Sequence, residues 1–167
     1  DDLLWSNRPD WWDMGKKYGP RAYMTILAIK ALRSYNYISA ALNLNLDRLK
    51  NYEELTERMD ESLNKKLWAN DVNYLMNFYS DGKRDKHYYM GSLLAAHYNL
   101  LNAQLIEKMV KTAEEKLLDK NVGVYTVWPM DFNKLLDFWN FSGNEAGDPY
   151  YYINGGVWPH ANAWYAL

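Results

Sequence analysis

Carboxylates and indoles cluster in this sequence in a way that could support acid–base chemistry on a sugar. Asp10 and Asp13 stand in the run Arg8-Pro9-Asp10-Trp11-Trp12-Asp13-Met14-Gly15, with Trp5 close by. A carboxyl group set against apolar rings resists ionisation, because burial penalises its charged form. Holding its proton near neutral pH, it can serve as a general acid. Cleavage of a glycosidic bond needs such an acid to protonate the departing oxygen. An aspartate capping a turn, with tryptophans merely packed around it, fits the same run equally well.

A second concentration runs from residue 125 to 160. It holds Trp128, Pro129, Asp131, Trp139, Glu145, Asp148 and Tyr150 to Tyr152, then Asn154-Gly155-Gly156-Val157-Trp158-Pro159-His160. A long connection without helical periodicity is uncommon in a compact domain unless it carries function. The two glycines permit positive φ and a close backbone approach to a ligand. His160, at a helix start, could donate to a sugar hydroxyl or hold an anion, or it could be a buried histidine bonded to backbone. A third cluster, Asp81 to Tyr89, reads as a solvated mixed-charge hairpin tip from Asp81 to Lys86. Tyr88 and Tyr89 follow it at the mouth of a helix, within reach of a ligand. His87 and His97 have no metal-ligand spacing, so no metal is expected. With no cysteine, no Gly-x-Ser-x-Gly and no phosphate-binding glycine loop, neither a nucleophilic triad nor a cofactor is expected.

The elements that must position these residues alternate in character. Pro20 to about Asn43 predicts a helix apolar around most of its circumference, buried on nearly all sides. Residues 47–68 predict an amphipathic helix with one dry stripe, Leu49, Tyr52, Leu55, Met59, Leu63 and Leu67. A loop with a strand-like stretch, Val72 to Tyr79, and a turn at residues 80–83 come next. A second apolar helix, Met90 to Leu101, and a second amphipathic one, Ala103 to Asp119, repeat the pattern. After the connection 120–159 a third apolar helix starts near His160 and runs to Leu167. Apolar helices recur about every 70 residues, a repeat that suits hairpins with inner and outer helices, each needing neighbours on both sides. An ordinary helix bundle is the other architecture open to this pattern. In the hairpin array, every loop leading into an inner helix lies at the same end.

Composition narrows the function. A net charge of −2 with no basic stripe argues against nucleic acid. No apolar run approaches the ~18 residues that span a bilayer, which argues against a membrane. Absence of cysteine fits a reducing, cytoplasmic setting. Eight Trp and fifteen Tyr against four Phe favour rings with a polar handle, suited to half-wet sugar clefts or to a tyrosine-rich core. The chain opens on two acids and stops inside a helical pattern, so residues 1–167 are expected to be part of a longer catalytic domain, whose remainder would be their partner.

Asn154 to Leu167 resembles the inner-helix motif of the (α/α)6-barrel glycosidases. It is similar to glycogen-debranching, amylo-α-1,6-glucosidase-like enzymes and to the cellobiose and chitobiose phosphorylases. The Pro-Asp-Trp-Trp-Asp-Met-Gly segment resembles the stretch that holds the general acid in those relatives. The resemblance implies an all-α fold, part of an (α/α)6 toroid with long active-site loops, acting on an oligo- or polysaccharide. It implies Asp13 as the acid, with Asp10 as its alternate, and Asn154, Gly155, Gly156 and Trp158 as the wall near the cleaved sugar. His160 matches a phosphate-binding histidine of the phosphorylase branch, although the full Asp-Trp-Asn-Asp pattern of that branch is absent. The clan's base carboxylate lies beyond the Gly-Gly motif; inside this chain Glu145 and Asp148 are the substitutes. Trp11, Trp12, Trp128, Trp158 and Tyr88 are the expected sugar-binding rings. The expected function is an inverting glycoside hydrolase, its two carboxyls about 6.5–9.5 Å apart. The alternatives are a glycoside phosphorylase and a non-catalytic helical-repeat scaffold, in which Asp13 is exposed and the tryptophans are scattered.

Overall fold

The computed structural model of the chain describes residues 1–44 and 46–166. Helices of all kinds account for 47% of the chain; among the described residues they are six α-helices with π-helical and 3-10 turns, joined by short strands. Pro20 does not open the first helix. It pairs with Trp5 in a ribbon of β1 (Trp5–Ser6) and β2 (Gly19–Pro20), and Arg21 in extended conformation caps α1 (Ala22–Ala41). Returning antiparallel to α1, α2 (Leu46–Ser62) packs along it and runs on into a π-helical turn, Leu63–Leu67. A ribbon of β3 (Trp68–Ala69) and β4 (Tyr74–Leu75) leads to the turn at residues 80–82 and to β5 (Tyr88–Tyr89).

The second apolar segment is shorter than its sequence suggests. A 3-10 turn, Met90–Leu93, leads into α3 (Leu94–His97), which Asn99 ends at φ 52°. There the Leu100 N–H reaches Ala95 O (2.9 Å) and the Asn99 N–H reaches Ala96 O (3.1 Å), a left-handed stop that asparagine tolerates. Asn43 and Asn140 close α1 and a later helix in the same way. The Asn102 side chain caps α4 (Ala103–Lys116) by accepting Leu105 N–H at 3.0 Å. The connection that follows folds as a ribbon of β6 (Leu118–Asp119) and β7 (Gly123–Val124), then β8 (Val127–Trp128), paired with β5. Next come a 3-10 turn, Phe132–Lys134, and α5 (Leu136–Trp139); α6 (Pro159–Ala166) closes the described chain. Leu167, the predicted end of that last helix, lies outside the described residues.

The Met90–Leu93 turn touches both α1 and α6, so the three apolar segments lie side by side. The larger core gathers Ile26, Ile29, Leu63, Met90, Leu94 and Met109 beneath them. A smaller core of Trp12, Tyr89, Phe132, Trp139 and Ile153 underlies the loops. Two expectations are corrected. Only the first half of α1 is enclosed; Tyr35, Tyr37, Ile38 and Leu42 are exposed, because α3 ends after one turn and leaves the far half of α1 without that neighbour. The hairpin tip is solvated except at Asp85, which is fully buried.

Candidate active site

The loop that carries Asp10 to Gly15 is pinned at both ends. Lys17 N–H reaches Asn7 O (3.0 Å), Lys16 N–H reaches Trp139 O (2.6 Å), and Arg8 Nη1 donates to Gly15 O. Gly15 has φ 71°, and a Cβ there would meet the Phe141 ring at 2.8 Å, so the loop can close over α5 only with glycine at this point.

Inside this loop the two aspartates part company. Asp10 is 2% exposed. Its Oδ1 accepts the Trp11 N–H (2.8 Å) and its Oδ2 the Gly91 N–H (3.0 Å). Burial pushes its pKa up to about 7, against the opposing pull of those two N–H groups. Asp13, three residues on, is exposed. It lines an open cavity of about 520 Å³ with Arg8, Lys16, Asn140, Phe141 and Glu145. Both ends of the proposed carboxylate pair, Asp13 and Glu145, therefore face one cavity. Its size is that of a small-molecule site. Asp148 is exposed and accepts from Asn144 Nδ2 (3.0 Å).

The aromatic residues converge next to Asp10. Trp11 meets Trp158 edge-on with centroids 5.0 Å apart, and His160 at 4.5 Å. The loop before α1, the turn before α3 and the start of α6 thus come together at Asp10, Gly91 and Trp158. Trp12 is buried against Tyr89 and Phe132 and supports the loop from below. Tyr88 and Trp128 pair with one another across β5 and β8 and join none of the Trp11 ring contacts among the described residues. Asn154 is fully buried: its Oδ1 accepts Phe132 N–H (3.1 Å) and its Nδ2 donates to Gly147 O (3.0 Å). Gly155 and Gly156 are buried beside it, and only Gly155 takes a positive φ, 94°. The Asn-Gly-Gly stretch, expected as part of the sugar wall, is instead buried, and of the four residues expected there only Trp158 reaches the surface. His160 is held edge-on between Trp11 and Trp164 (4.9 Å), and partial burial lowers its pKa, which favours a neutral ring.

One cluster escaped the sequence reading. His87 is buried with Nδ1 2.6 Å from Asp85 Oδ1 and Nε2 2.8 Å from Asp131 Oδ1. Tyr89 donates its hydroxyl to Asp85 Oδ2 (2.6 Å), and Lys86 pairs with Asp131. Burial alone would lower the His87 pKa, but bonds to Asp131 and Asp85 outweigh it and raise it. Burial likewise opposes ionisation of Asp85 and Asp131, yet His87 holds both below the usual carboxylate range. The available signal was the i, i+2 spacing of Asp85 and His87 on extended backbone, which puts both on one face.

The model of the amylo-alpha-1,6-glucosidase family matches residues 13–166. The chain belongs to the amylo-alpha-1,6-glucosidase family. Among the residues discussed above, the match opens on Asp13 itself and includes Glu145, Trp158 and His160, whereas Asp10, Trp11 and Trp12 stand just ahead of it. Comparison with curated proteins gives no match. Among the described residues, no helix is long and apolar enough to cross a membrane, and no group of three His, Cys, Asp or Glu is arranged to hold a metal ion.

Proposed function

We propose that the chain forms part of an inverting glycoside hydrolase that cleaves glucosidic bonds of an oligo- or polysaccharide. The α-1,6 bond of a branched α-glucan is the one that the family's description points to. The observation that carries this reading is the shared cavity of Asp13 and Glu145. A sugar filling that cavity displaces water from around Asp13. Asp13 gives its proton to the glycosidic oxygen as the C1–O bond breaks. Glu145 takes a proton from a water attacking C1 from the opposite face, so the new C1–OH has inverted configuration. The ring that lines this cavity is Phe141, whereas Trp11 and Trp158 meet beside Asp10 and would serve a sugar unit outside it. Asp10, which already holds its proton near neutrality, is the alternate acid. Its two backbone bonds and its burial favour a role in fixing the loop.

The side-by-side apolar segments with α2 and α4 outside them support an (α/α)6 arrangement. In it, further helices of the same catalytic domain would cover the exposed stripe on α1. The cysteine-free sequence fits a cytoplasmic enzyme. A scaffold accounts for the exposure of Asp13, which lies in a cavity apart from Trp158 and His160, but it expects scattered tryptophans, and Trp11 and Trp158 meet. A neutral His160 wedged between indoles is a weak phosphate ligand, which favours hydrolysis over phosphorolysis.

The test uses the full-length protein on a branched α-glucan. Asp13→Asn and Glu145→Gln are each expected to lower kcat about 10²–10⁴-fold with little change in KM. The first product seen by proton NMR is expected to have the inverted anomeric configuration, at a rate indifferent to inorganic phosphate. Activity retained in Asp13→Asn and lost in Asp10→Asn would move the acid role to Asp10. Phosphate-dependent release of a sugar 1-phosphate would replace the hydrolase with a phosphorylase.

A further inference from the structure

We infer that Tyr150, Tyr151 and Tyr152 form a shelf on which the glucose units beyond the cleaved bond stack, an inference that rests on the glycosidase reading above. The three side chains are 60%, 70% and 41% exposed. Two of them occupy left-handed backbone, Tyr150 at φ 72° and Tyr152 at φ 42°, where a bulky side chain is strained. Hydrogen bonds maintain this conformation. Tyr150 N–H reaches Asn154 O (2.9 Å), Tyr151 N–H reaches Asp148 O (3.0 Å), and Tyr152 O accepts both Gly156 N–H (3.0 Å) and Trp158 Nε1–H (3.1 Å). All these bonds involve main-chain atoms of the tyrosines. Glycine or asparagine at 150 and 152 would keep them without the strain. The fold therefore gains little from the phenol rings, and the strain serves to display them.

The rings also lead somewhere. Tyr152 contacts Trp158 (5.6 Å between centroids), and Trp158 contacts Trp11 (5.0 Å), while Tyr150 rests edge-on against Tyr125 (5.5 Å). Tyr152 is thus the outer end of an aromatic run, Trp11–Trp158–Tyr152, that starts beside Asp10, and Tyr150 and Tyr151 extend the exposed surface from it along the chain. Flat uncharged faces edged with phenol hydroxyls suit a glucan, whose rings alternate C–H faces with hydroxyl rims. The ligand is an extended α-gluco-oligosaccharide, and the shelf governs the preference for chain length.

The experiment compares Tyr150→Asn, Tyr151→Ala and Tyr152→Asn with the wild type in the full-length protein. Branched α-gluco-oligosaccharides with a short and a long main chain serve as substrates. The Tm of the two asparagine variants is expected to hold or rise. For each variant kcat/KM on the long substrate is expected to fall about tenfold, one aromatic face lost, with the short substrate unaffected. An unchanged value on the long substrate, an equal fall on both, or a lowered Tm in the asparagine variants overturns the shelf. A wild type inactive on every glucan defeats the hydrolase reading instead. Calorimetric binding of a linear α-gluco-oligosaccharide then reads the shelf alone: weaker binding in the variants supports it, and equal binding overturns it.

Discussion

Asp10 and Gly91 are joined across 81 residues by one hydrogen bond, from the Gly91 N–H to Asp10 Oδ2 at 3.0 Å, in full burial. That bond locks the loop before α1 onto the turn before α3. It also fixes where Trp11, the residue after Asp10, meets Trp158 and His160.

The buried carboxyl makes stability depend on pH. Its pKa is about 7 in the folded chain, raised from the ordinary 3.8. Below about pH 4 both folded and unfolded states carry the proton, and the group contributes no difference. As pH rises toward about 7 the unfolded chain ionises first, so folding loses on the order of 4 kcal/mol over that window and then levels off. Urea unfolding across pH 4–8 is expected to show this decline in the wild type and not in Asp10→Asn. A constant gap between the two proteins would mean that Asp10 is hydrated.

Gly91 admits no side chain. A Cβ there would lie 2.2 Å from Asp10 Oδ1 and 2.7 Å from the Tyr23 ring. Gly91→Ala must push the carboxyl out of its site, and a loss of about 1–3 kcal/mol is expected by denaturant unfolding. Trp11 shifts with the loop, so kcat/KM falls as well. Wild-type stability in Gly91→Ala would show that the loop has room to move.

His87 bridges Asp85 and Asp131 and so ties the residues before β5 to those after β8. Removing its charge leaves Asp85 buried with the Tyr89 hydroxyl as a bonded partner but without its bonded cation, and His87→Gln is expected to cost about 3–5 kcal/mol. The sign of the pH dependence follows from the shifts. The raised His87 pKa gives stability that is complete below about 6.5 and lost as pH rises through the folded value. The lowered Asp85 and Asp131 values give stability present above 3.8 and lost as pH falls through theirs. Lys86, Tyr89 and the neighbouring Arg21 face the same carboxylates and remain in the variant. Thermal unfolding between pH 4 and 9 is expected to lose its alkaline limb in His87→Gln.

The long periodic elements were legible in the sequence because their dry stripes run over many residues. The start of α4 and the body of α1 fall within a residue or two of expectation. Of the four ribbons among the described residues, only β4 fell within an expected strand-like stretch, Val72 to Tyr79; the other two-residue strands carry no alternation to detect. Asn99 hid the early end of α3: the apolar run Leu100-Leu101 continues past the asparagine that turns the chain. The convergence of the three loops followed from the repeat, but the division of labour between Asp10 and Asp13 did not. It depends on Gly91, far along the chain, closing over one carboxyl and leaving the other in a cavity with Glu145. Asp85, His87 and Asp131 stayed hidden for the same reason, with 44 residues between the histidine and its second partner.

Asn154 offers a sharp distinction between a residue that touches sugar and one that holds the residues that do. Its side-chain oxygen and nitrogen are both engaged, with Phe132 N–H and Gly147 O. Asn154→Ala leaves those two backbone groups without this partner, at about 1–3 kcal/mol each, so a lowered Tm is the first expected effect. Asn154→Asp keeps the acceptor for Phe132 but loses the donor to Gly147 and buries a charge, so it should fare no better. A residue of the sugar wall would instead raise KM at constant Tm. Activity is expected to fall in both variants, because Tyr152 and Trp158 hang from the turn that Asn154 braces, and to fall in step with the fraction unfolded. Thermal melts and KM measured on the same preparations separate the two roles.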